Sequence, residues 1–176
     1  RSLGLNGPTF WTECAHLIEG GWDPPLAYLT RLLTLSATGS VQPITRQKLE
    51  LVGKAVQFYT GVPDFVSHLR ESLAESPEYR DAAIQIEWYV ISGGIEELLR
   101  ATAIADEATD VFGCSFDYDP QGRATSVKRT VTFTEKTKVI YAINKGISGE
   151  ELRRSPYRVN DAIDPAARRI PPDHMV

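Results

Sequence analysis

Trp88-Tyr89-Val90-Ile91 runs straight into Ser92-Gly93-Gly94, and Ile95-Glu96-Glu97-Leu98-Leu99-Arg100 follows. The upstream residues Ile84 to Glu87 add two more isoleucines to what reads as one β-rich stretch. Four consecutive apolar residues fit a strand covered on both faces, as in a parallel sheet, rather than the alternating strand of a half-solvated one. The leucines and charges after the glycines have helical spacing. Strand, glycine turn and helix make the βα unit of a parallel sheet, so the chain belongs to the α/β class.

The rest of the chain divides around that unit. Residues 1–60 read as a helical region. One helix spans about Pro8 to Leu17 and closes at Gly20-Gly21; a second begins at Asp23-Pro24-Pro25, an N-cap followed by prolines suited to a first turn. A third is capped by Thr45, carries Leu49, Val52, Ala55, Val56 and Tyr59, and ends at Gly61. Residues 61–176 read as the α/β part. A helix follows Pro63-Asp64-Phe65. Strands at Val111–Phe116 and Thr125–Phe133 flank the turn Tyr118-Asp119-Pro120-Gln121-Gly122, and Thr134 caps a helix with Val139, Ile140 and Ile143 inward. A short helix near Gly149 to Arg154 precedes a proline-rich end.

Charge and cysteine usage exclude several function classes. With 19 basic and 23 acidic side chains the net charge is −4, and basic residues cluster only as pairs such as Lys128-Arg129, so nucleic acid is not an expected partner. No apolar run approaches the roughly 18 residues that span a bilayer, so no membrane is expected. Cys14 and Cys114 form no metal-spacing motif, and a reducing, cytoplasmic setting is the default. The chain opens at Arg1 and its only methionine is Met175, which is the pattern of a segment from a longer protein.

Two places carry candidate chemistry. Ser92 and Gly93 stand at the carboxyl end of a strand, where open α/β sheets bind ligands. A hydroxyl, free N–H groups at a helix start and a glycine that lets an anion approach the backbone all suit phosphate there. The alternative is an ordinary serine N-cap with a tight turn. Lys136 lies in the first turn of its helix, facing the positive end of the macrodipole, a placement unfavourable by roughly 0.3–1 kcal/mol unless an anion binds nearby. The alternative is a solvated lysine neutralised by Glu135. His16, His68, Asp117, Asp119, Asp161 and Asp164 read as surface, core or turn residues.

Taken in order, Trp88-Tyr89-Val90-Ile91-Ser92-Gly93-Gly94-Ile95, a hairpin, and Thr134-Glu135-Lys136-Thr137-Lys138 opening a helix resemble the haloacid dehalogenase (HAD) superfamily, in its phosphoserine phosphatase-like branch. In that family the second motif is a strand ending in Ser or Thr, often Val-Ser-Gly-Gly, that binds the transferring phosphoryl group, and the third is a lysine at a helix start. Ser92 with Gly93 matches the former and Lys136 the latter. The resemblance implies a partial Rossmann-like HAD core at 61–176 with a helical cap at 1–60. It also implies Mg²⁺, a small phosphorylated metabolite as substrate, and hydrolysis through an aspartyl-phosphate. The family's first motif, Asp-x-Asp-x-Thr or Ser, and its fourth, an acidic Gly-Asp-Gly-type loop, have no match among these residues, and Asp117-Tyr118-Asp119 has the wrong setting. The expectation is a hydrolase whose nucleophile and metal ligands lie outside residues 1–176, with these residues inactive alone. A degenerate phosphate-binding or protein-interaction module is the alternative.

Overall fold

The computed structural model describes residues 4–176. Helix α1 (Gly7–Glu19) is capped by Asn6, whose side chain accepts from Thr9 N–H. Helix α2 (Pro24–Ala37) is capped by Asp23 through Leu26 N–H, and α3 (Arg46–Lys54) by Thr45 through Lys48 N–H, both as the sequence requires. Helix α3 stops at Lys54 instead of running to Gly61. Its last turn tightens through Ala55 N–H to Val52 O and Val56 N–H to Gly53 O, and Tyr59 is left 89% exposed. Helices α4 (Phe65–Glu75) and α5 (Pro77–Asp81) follow.

Three strands form one mixed sheet in the order β1-β2-β3. Strand β1 (Tyr89–Ile95) is parallel to β2 (Asp110–Tyr118), and β2 is antiparallel to β3 (Ala124–Arg129). Helix α6 (Glu96–Arg100) leaves β1 at once, α7 (Phe133–Asn144) follows β3, and α8 (Gly149–Arg154) closes with a Ser148/Glu151 capping box. Short 3₁₀ turns at Pro156–Asn160, Pro165–Ala167 and Pro172–His174 complete the chain.

Three boundaries differ from the sequence pattern. Ile84 to Trp88 lie outside the sheet, and Ile84 is 51% exposed; β1 takes its later start from Tyr89 pairing with Asp110. Strand β3 ends at Arg129, not at Phe133. The cap of α7 is Thr132 rather than Thr134, and it makes no side-chain cap bond. Packing sets that start: Val131 is buried and its N–H is held by the Cys114 thiol, so the chain turns into a helix directly after it.

One buried cluster takes residues from both sides of position 60. Phe10, Cys14, Leu29, Leu32, Ile44 and Leu49 pack with Ile95, Cys114, Phe116 and Val131. A second gathers Phe112, Val139, Ala142, Ile143, Ile147 and Leu152. Ile91, half-buried in β1, packs against both clusters, so at that position the strand meets apolar side chains on both sides.

Candidate functional site

The Ser92-Gly93-Gly94 segment is not a turn that caps a helix. It stays within β1 as a bulge: Ile91 pairs with Phe112 and Ile95 with Cys114, so Ser92, Gly93 and Gly94 together lie opposite Gly113. Gly113 makes this geometry attainable. A Cβ there would sit 2.8 Å from both N and Cα of Glu96 and 2.9 Å from Gly94 O. Bulges re-aim side chains and interrupt pairing, and they are common beside functional sites.

Within the bulge, Ser92 Oγ accepts the Gly94 N–H at 3.0 Å. That bond fixes the hydroxyl's position and uses it as an acceptor, so its proton is available to a further acceptor. The Gly93 carbonyl accepts from Tyr28 Oη at 2.7 Å and from Cys114 Sγ at 3.2 Å. Cys114 Sγ in turn accepts the Val131 N–H at 3.2 Å. Burial pushes the Tyr28 phenol and the Cys114 thiol above their ordinary ranges, which keeps both in the protonated, donating form at neutral pH.

The expected anion-attracting helix start shifts accordingly. Helix α6 begins at Glu96, after Ile95, and has Glu96 and Glu97 in its first turn, which offset its positive end. The longer helix beside the bulge is α7. The position of a Gly93 Cβ lies 3.5 Å from Val131 O and 3.5 Å from Pro25 Cγ, so the starts of α7 and α2 both reach Gly93. Helix α2 begins with two prolines under an Asp23 cap and offers an anion little; α7 begins under Thr132 without a side-chain cap.

Lys136 is the fourth residue of α7, with Nζ 5.8 Å from the centroid of the Phe133 ring. Glu135 does not neutralise it: Glu135 pairs with Lys138, and Lys136 enters no ion pair among the described residues. The cation near the start of α7 therefore has no acidic counterpart there.

The remaining candidates have local roles. His16 and His68 are exposed. Asp119 organises the hairpin by accepting from Gln121 and Arg123 N–H, and the Arg123 backbone N–H is the main cause that lowers its carboxyl below the usual range. Asp164 caps a 3₁₀ turn, and Asp161 pairs with Arg158 at 3.4 Å. Among the described residues no group of three or more His, Cys, Asp or Glu is placed to hold a metal ion. The described residues thus supply no ligand set of their own for the Mg²⁺ that the family resemblance implies, whose main ligands that resemblance places outside residues 1–176.

Sequence reasoning missed Tyr28, Gly113, Cys114 and Val131, all of which shape the bulge. One of them left a signal: Gly113 interrupts the apolar run Val111-Phe112-Gly113-Cys114, and a glycine inside a strand marks a bulge or a close backbone approach. It also missed the ion network that fixes the exit of β1. Glu96 pairs with Arg100 and Arg129 and accepts the Gly113 N–H at 3.3 Å, while Asp110 pairs with Arg100 and Arg153.

No family model matches the chain, and no solved structure matches it. A curated protein of Borreliella burgdorferi, described only as an uncharacterized protein, is 25% identical over 187 aligned residues. That alignment covers 93% of this chain, and the chain spans 61% of the relative's length.

Proposed function

We propose that the longer protein to which these residues belong is a phosphomonoester hydrolase of the HAD type, in the phosphoserine phosphatase-like branch, acting on a small phosphorylated metabolite in the cytoplasm. The observation that carries the reading is the Ser92–Gly94 bulge, with the start of α7 packed against it. A phosphoryl group in transfer needs donors and cations converging on its oxygens. Ser92 would donate through its hydroxyl, Gly93 would let an oxygen approach the backbone, and Lys136 would offset the charge on the nucleophile and the phosphoryl group. In this reading the mixed sheet is part of a Rossmann-like core and α1–α3 are the cap. The nucleophilic aspartate and the Mg²⁺ ligands come from outside residues 1–176.

The test is a phosphatase assay with an aryl phosphate and Mg²⁺, followed by a panel of phosphomonoesters. Residues 1–176 alone should give background rates, and the full-length protein should turn over. A full-length protein that carries the Asp-x-Asp motif and stays inactive across the panel, yet binds phosphate, would replace hydrolysis with the binding-module reading.

A further inference from the structure

We infer that Tyr28 and Cys114 are positioning residues of the phosphate site, holding the Gly93–Gly94 peptide in the one orientation that leaves the Ser92 hydroxyl proton free for the ligand. The inference rests on the phosphate-binding reading of Ser92 and Gly93. Its basis is that this peptide is held at both ends. Its carbonyl accepts from Tyr28 Oη and Cys114 Sγ, and its N–H donates to Ser92 Oγ. A peptide between two glycines meets little steric resistance to flipping, because neither residue has a Cβ to restrict its backbone. A flip would release the Gly94 N–H from Ser92 and turn a carbonyl dipole to the side where the N–H had been.

The two donors come from different parts of the chain. Tyr28 stands on α2, in the helical region. Cys114 stands on β2, is fully buried, and also receives the N–H of Val131, one residue before the cap of α7. Cys114 thus ties the bulge to the start of the helix that carries Lys136. The alternation of donor and acceptor demands a group that gives one hydrogen and accepts another in a space closed to water. A protonated thiol satisfies both.

Two measurements separate this inference from the reading it rests on. The first, on the full-length protein without ligand, is hydrogen exchange at the Gly94 amide. Tyr28→Phe and Cys114→Ala should each speed it about three- to tenfold, as expected for loss of one neutral hydrogen bond, and Cys114→Ser should restore most of the protection. Unchanged exchange in Tyr28→Phe and Cys114→Ala overturns the positioning role, whatever the protein binds. The second is titration with inorganic phosphate. The unsubstituted protein should bind, Tyr28→Phe should bind about three- to tenfold more weakly at a similar melting temperature, and Cys114→Ser should bind better than Cys114→Ala. No phosphate binding by the unsubstituted protein overturns the phosphate-site reading. Binding that Tyr28→Phe leaves intact overturns the positioning inference alone.

Discussion

Replacing Lys136 with alanine in the full-length protein should cost at least about 10²-fold in kcat for phosphomonoester hydrolysis, the scale on which loss of a preorganised charge at a transition state is felt. Stability should change little, or rise slightly. The lysine stands near the positive end of α7, where a cation is unfavourable by roughly 0.3–1 kcal/mol, and it has no acidic partner whose loss would leave a charge unpaired. Lys138 is the internal control. It lies two residues on, about 200° around the helix, and pairs with Glu135, so Lys138→Ala removes one half-buried i,i+3 pair worth about 0.2–0.5 kcal/mol and should leave the rate alone. Steady-state kinetics beside thermal melts decides the matter. Equal, small rate effects at both positions would reduce Lys136 to a surface lysine.

The second large effect is expected at Gly113. In Gly113→Ala the new methyl group meets the backbone of the facing Gly94–Glu96 segment: Glu96 N and Cα at 2.8 Å and Gly94 O at 2.9 Å. None of these atoms can swing away as a side-chain end could, so the bulge must open or the two strands must part. Overpacking of this kind costs typically 1–3 kcal/mol, and in a domain of this size that lowers the melting temperature by about 3–8 °C. The neighbouring Gly93→Ala has a different expected outcome. Its Cβ would sit 3.5 Å from Pro25 Cγ and Val131 O, ordinary contact distances, so the fold should hold while the methyl group impedes close approach of a phosphate oxygen. Thermal melts should therefore separate the two variants, with phosphate binding lost in both. A Gly113→Ala protein that melts like the unsubstituted one would mean that the bulge is not held this tightly.

The elements with strong local signals were legible in the sequence. Asp23 and Thr45 cap their helices as their residue types require, Asp119 and Gly122 shape the hairpin, and Gly149–Arg154 is a short helix. Of the four apolar residues ahead of Ser92, Tyr89, Val90 and Ile91 do form a strand and Ile91 is packed from both sides, but Trp88 lies outside it and the three are half-buried, not buried. What failed were features decided by distant parts of the chain. Ser92-Gly93-Gly94 has the composition of a turn, and as a bulge it depends on Gly113, which is remote in sequence. Thr134 is a sound cap by residue type, but the helix starts earlier because Val131 is anchored on Cys114. Tyr28 is one of several aromatic residues of the helical region, and nothing local marks it as the donor to Gly93.

The central claim is that Ser92 and Lys136 serve one phosphate. The most direct measurement is a crystal structure of the full-length protein with inorganic phosphate bound. The account predicts one phosphate with oxygens within about 3.2 Å of Ser92 Oγ and of Lys136 Nζ, lying against Gly93 at the bulge. A phosphate held elsewhere, or Ser92 Oγ and Lys136 Nζ more than about 10 Å apart with the ligand in place, would contradict it, because a single phosphate bridges only hydrogen-bond distances on each side.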